Sequence, residues 1–168
     1  LAAFVLFALV IPGKEALNEY RTTPLACRNI YQQQYQMARF LQKYYNHATV
    51  VAADVGYIGY LTDAKIVDIK GLSTHEIVLA RRRGLNTPDF YSAIASKYNA
   101  DISVSYNYDY LPNDQWPLVA SWQIFQNIIC AHDTVEFRAV DPEQQAQLLA
   151  NLQEFHSELP ESVEVVYY

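Results

Sequence analysis

The sequence predicts an α/β fold, a single soluble domain whose mostly parallel or mixed sheet is flanked by helices in a three-layer-like arrangement. Three observations carry this expectation. Val50-Val51-Ala52-Ala53 is an apolar run of small and β-branched residues, the pattern of a strand covered on both faces. An Asp-x-Gly turn, Asp54-Val55-Gly56, and a short helical stretch lead from it to a second such strand at Ile66–Ile69. A helix precedes this pair, and helix–strand–helix–strand is the order that calls for a right-handed crossover.

In chain order, the first clear helix runs from Asn29 to Tyr45, with Tyr31, Tyr35, Ala38, Leu41 and Tyr45 recurring as one apolar stripe and Asn29 as its expected cap. The strand Thr49–Ala53, the helical turn Gly56–Leu61 and the strand Ile66–Ile69 follow. Ser73 or Thr74 opens a helix that carries Glu76 in its first turn and closes at Arg81-Arg82-Arg83-Gly84. Thr87-Pro88 starts the next, over Phe90–Tyr98. Ile102–Tyr106 alternates as a strand, and Asn107–Trp116 is a loop rich in Tyr, Asp and Asn. Leu118–Ile129 and Thr134–Val140 read as strands, Asp141-Pro142 begins a last helix to about Leu159, and Val163–Tyr167 reads as a final strand.

With 168 residues, 51% hydrophobic and 18% charged, the chain can bury a core without metal or disulfide. A net charge of −6 argues against a nucleic-acid partner. Tyrosine is the excess residue, with 14 copies against 7 Phe and 2 Trp, and it suits wet aromatic surfaces as well as cores. Cys27 and Cys130 lie in no ligand spacing; as a pair they would stabilise by ~4–5 kcal/mol, and as two thiols by nothing. No cofactor or metal motif is present. Leu1–Ile11 is uninterruptedly apolar and stops at Pro12-Gly13-Lys14, shorter than the ~20 residues of a bilayer span. We therefore expect residues 1–13 to be the end of a truncated membrane helix, 14–28 a juxtamembrane connector, and 29–168 the soluble domain.

Asp54 and Asp68 stand at two strand ends and are candidates for a cation, a sugar hydroxyl or divided acid–base roles, or else for helix capping and loop holding. Gly56 and Gly71 belong to the same turns, and Gly56 with Gly59 fits close helix–strand packing better than a phosphate cradle. In the tyrosine loop, Tyr108 and Asp109 with Trp116 nearby can stack on and hydrogen-bond a sugar, or pack on the sheet edge. No G-x-S-x-G, P-loop, G-x-G-x-x-G or HExxH arrangement occurs, so no catalytic residue is assigned.

The string Asn29–Phe40 and the block Asp54-Val55-Gly56…Asp68-Ile69-Lys70-Gly71-Leu72 resemble the extracytoplasmic C-terminal domain of bacterial polytopic glycosyltransferases related to protein mannosyltransferases. Asp54, Gly56, Ile58, Tyr60, Asp68, Gly71 and Leu72 match its N-D-I-G-A-I-x-Y and D-x-x-G-L segments, whereas Ala53 and Tyr57 depart from the Asn and Ala there. The resemblance covers Asn29–Glu76 well and the rest loosely. It implies catalysis in upstream membrane loops driven by polyprenyl-phosphate sugars. For this chain it implies an accessory, membrane-anchored, periplasmic role beside its own membrane domain, facing a glycan or lipid-linked acceptor. The alternatives are a free-standing small enzyme using Asp54 and Asp68, or a carbohydrate- or protein-binding module.

Overall fold

A computed structural model describes the backbone of residues 2–168 and the side chains of residues 13–168. A long helix, α1 (Ala2–Ile30), runs through a π-helical turn at Tyr31–Tyr35 directly into α2 (Gln36–Tyr44). The connector expected at 14–28 is helical and mostly exposed. The membrane-helix end expected at 1–13 rests on side chains outside the described residues. Among the described residues no helix is long and apolar enough to cross a membrane.

The domain is mixed α/β, as its sequence predicts. Strands β1 (Thr49–Ala52), β2 (Lys65–Asp68), β3 (Ile102–Ser105), β4 (Leu118–Gln123), β5 (Thr134–Ala139) and β6 (Glu164–Tyr167) form one sheet in the order β2-β1-β3-β5-β4-β6. β2, β1 and β3 are mutually parallel; β5, β4 and β6 add on antiparallel. The helix α3 (Val55–Leu61) links β1 to β2, while α4 (His75–Arg82) and α5 (Pro88–Lys97) lead back across β1 to β3. Right-handed crossovers running in opposite directions place these helices on opposite faces.

On the face shared by α2 and α6 (Gln145–Phe155), Phe40 packs within 5.4 Å of Phe137, 5.6 Å of Phe155 and 5.8 Å of Trp122, edge to face. On the other face the charged pair Glu136–Arg138 is buried at 2.7 Å, and Arg138 also donates to the carbonyls of Asn113 and Trp116 at 3.0 Å.

Three local expectations change. Asn29 caps nothing: it lies inside the continuous helix, fully buried, and its Oδ1 accepts from Ile128 N at 3.1 Å. The apolar stripe breaks at the π turn, whose wider winding turns Gln32 and Gln33 inward and leaves Tyr31 exposed. The strand expected over Leu118–Ile129 ends at Gln123, because Gln126 takes a positive φ of 55° and the chain loops back.

Candidate functional site

Strand order reverses at β1, which puts a topological switch point between the carboxyl ends of β1 and β3, where open α/β sheets take their ligands. Asp54 follows β1, Tyr106 follows β3 and Lys70 follows β2, so all three meet that edge. β5 runs the other way, bringing the preceding loop with Cys130 and His132 to the same place.

Tyr106 is buried, and its hydroxyl faces two acceptors, Asp54 Oδ2 in close contact and Gln33 Oε1 at 3.0 Å. The Gln33 amide is oriented by its own donations to the carbonyls of His132 (3.0 Å) and Asp133 (3.2 Å). One proton thus holds the π turn, β1 and β3 together. Burial and then the Asp54 charge keep that phenol protonated far above its ordinary range.

Lys70 Nζ sits 3.6 Å from the Tyr108 ring centre and 3.3 Å from the Tyr110 hydroxyl, with the two tyrosine rings stacked at 5.0 Å. Burial, with Arg81 adding repulsion, lowers the Lys70 ammonium, while Asp54 and Asp68 oppose this. Tyr108 is pushed up to about 12 by burial and then by Asp54. The imidazole of His132 lies 5.2 Å from Tyr106 and 5.4 Å from Tyr108. These side chains fill the switch-point crevice themselves.

The residues singled out from the sequence fall in different places. Asp54 and Tyr108 enter the crevice. Asp68 does not join Asp54 as a pair: it is fully buried and holds its own loop, accepting from Lys70 N at 2.8 Å and Ser73 N at 2.7 Å. Its carboxylate occupies the amides that a phosphate would need. Thr74 stands at the cap position of α4, but its hydroxyl accepts from Asp68 N at 2.9 Å instead of capping. Gly71 is required by geometry, with φ +80° and a Cβ that would lie 3.1 Å from Val78 N. Gly56 is not a packing glycine, since a Cβ there meets nothing within 4 Å. Trp116 is 3% exposed and belongs to the core, so it offers no face to a sugar; Asp109 is exposed. Cys27 is an exposed free thiol and Cys130 a buried one, raised to about 11 by burial and then by Asp54 and Asp133. Among the described residues no group of three or more His, Cys, Asp or Glu is placed to hold a metal.

The accessible recess lies next door. A groove of about 510 Å³, lined by Ala26, Cys27, Ile30, Tyr31, Tyr35 and Tyr57, sits where the long helix joins the domain. Tyr31 and Tyr35 stack at 5.5 Å, and Tyr57 meets Tyr35 edge-on at 5.7 Å. A neighbouring recess of about 460 Å³ shares Ile30 and Tyr57 and adds Gln34, Gly56 and Tyr60. The open space over Gly56 is therefore part of a surface, and α3 carries Tyr57 and Tyr60 into it straight from Asp54. Sequence reasoning missed Gln33, Lys70 and Tyr57; the three successive amides of Tyr31-Gln32-Gln33-Gln34-Tyr35 interrupt the apolar stripe at the place of the π turn without specifying that turn.

A family profile described as a domain of unknown function, DUF8728, matches residues 28–141. The chain belongs to that family. The DUF8728 match begins at the root of the long helix and takes in the π turn, both strand-end aspartates and the tyrosine loop. No curated protein and no solved structure matches the chain.

Proposed function

We propose that this chain is a non-catalytic accessory domain of a membrane-bound glycosyltransferase of the cell envelope, held on the extracytoplasmic side and shaping the acceptor surface. The observation that carries this reading is the tyrosine groove at the root of a helix that continues unbroken from the apolar N-terminal sequence. Tyrosine rings give sugar C–H faces a flat apolar contact and leave hydroxyls for hydrogen bonds. The match of Asp54, Gly56, Asp68 and Gly71 to the glycosyltransferase segments supports the same reading, because the turn at Asp54 and Gly56 starts α3 and so positions Tyr57, while that at Asp68 and Gly71 leads into α4. The crevice, plugged by Tyr106, Tyr108 and Lys70, serves to brace this surface.

The test uses the full-length membrane protein. Replacing Tyr31 and Tyr57 together by Ala raises the KM for the acceptor by about tenfold or more and leaves the KM for the lipid-linked donor unchanged. An unchanged acceptor KM contradicts the proposal. Glycosyl transfer by the chain alone would instead favour the small-enzyme alternative.

A further inference from the structure

The exposed part of α1 carries its charges and its apolar side chains in separate rows. Lys14, Arg21 and Arg28 recur at every seventh residue, and Leu17, Pro24 and Tyr31 each follow one of them by three positions. Seven residues make about two turns, so the two rows run side by side along one face of the helix. Tyr20 and Cys27 border the apolar row on its other flank. Leu17 is 48% exposed and Tyr20 80%. The other half of the helix turns Ala26, Asn29 and Ile30 to the domain, and that half also holds Glu15 and Glu19. Cations therefore share the outer face with the apolar side chains, and the anions lie away from it. Among the described residues Lys14 and Arg21 are in no ion pair. Arg28 donates to Gln126 Oε1 at 2.8 Å and keeps further N–H donors.

A partner for this face must offer an apolar layer and negative charge together. A second copy paired along the same stripe brings no acid to the cations, because Glu15 and Glu19 lie on the far side of each helix. An anionic lipid surface brings both. We propose that the outer face of α1 lies on an anionic bilayer surface, with Lys14, Arg21 and Arg28 at the lipid phosphates and Leu17 and Tyr20 below them. A straight α1 at a shallow angle to the surface then carries the apolar sequence Leu1–Ile11 deeper than the stripe that follows it. The domain sits above the helix, and the tyrosine groove, which shares Cys27 and Tyr31 with this face, opens at the level of the headgroups. This contact does not rest on the glycosyltransferase reading.

The experiment is flotation of the full chain with vesicles of phosphatidylcholine alone and of phosphatidylcholine mixed in equal parts with phosphatidylglycerol. The mixed vesicles bind it about tenfold or more tightly, and the preference shrinks at high salt. Lys14→Gln together with Arg21→Gln removes most of that preference, and because both side chains are exposed the variant keeps its fold. Brominated lipids then read the face. The indole added by Tyr20→Trp is quenched on the mixed vesicles, and the one added by Glu19→Trp, on the far side of the helix, is not. Equal binding to both vesicles, a preference retained in the double variant, or equal quenching at the two positions each overturn the proposal. Concentration-dependent pairing of the chain with no preference between vesicles overturns it in favour of a second copy.

Discussion

Asp54 follows β1 and Asp68 ends the parallel β2, and their neighbours give them opposite roles. Asp68 faces inward and finds two backbone amides within 2.8 Å, so it stabilises a loop. Asp68→Ala leaves those amides unpaired and costs about 1–3 kcal/mol in chemical denaturation; an unchanged midpoint would contradict the loop-holding role. Asp54 meets the Tyr106 hydroxyl and thereby joins the switch point to the helix root. The thiols provide a second residue-scale test. Iodoacetamide at pH 8 labels exposed Cys27 and spares buried Cys130, whose pKa of about 11 leaves little thiolate; mass spectrometry showing equal labelling would contradict this environment. A third concerns Glu76, which pairs with Lys97 at 2.7 Å and accepts from Tyr98 at 2.8 Å. The Lys97 hydrogen bond, followed by that from Tyr98, depresses Glu76 from 4.5 to about 2. A depressed carboxylate stabilises the fold above its unfolded pKa and loses that contribution as pH falls through its folded one. The urea-midpoint difference between wild type and Glu76→Gln is thus largest above pH 4.5 and shrinks toward pH 2, and a difference that grows on acidification would contradict the assignment.

At the scale of elements, the β1–β2 pair was readable because Val50–Ala52 is apolar throughout and Ile66–Ile69 is apolar but for Asp68, the pattern of strands covered on both faces. The helices after Thr87 and Asp141 announced themselves by a capping side chain followed by proline, and both caps form. The π turn was not readable. Its cause is tertiary: Gln33 is drawn inward by carbonyls about 100 residues away in sequence, a contact that no local window contains. The aromatic stripe therefore changes phase at Tyr35, and Tyr31, expected in the core, becomes a groove residue. Deleting half-exposed Gln34 removes the extra residue of the wide turn and rotates the helix before it by about 100°. That rotation breaks the bond from the Ile128 N–H to Asn29 Oδ1 and costs about 1–3 kcal/mol, read as a lower thermal midpoint with loss of amide protection at Ile128. A variant as stable as wild type would show that the turn is not built into the fold.

For the whole molecule, the fold places its chemistry at a single edge. Three parallel strands end there, β5 and β6 begin there, and the long helix crosses it at the π turn. The sequence pointed to this edge through its strand-end aspartates and glycines, and of the two aromatics it named, Tyr108 lies there while Trp116 is in the core. Burial of that indole follows from the fold of the Asn107–Trp116 loop over Arg138, which composition does not encode. With Tyr106, Tyr108 and Lys70 packed together in the crevice, the groove beside it is a surface open to a ligand. The most direct measurement is hydrogen exchange of the full-length protein, a membrane protein under the proposal, with and without the glycan or lipid-linked acceptor proposed for it. The account predicts slowed exchange across Tyr31–Tyr35 and Val55–Leu61 when the acceptor is present. Exchange that is unchanged in both segments, or slowed only elsewhere in the domain, would contradict it.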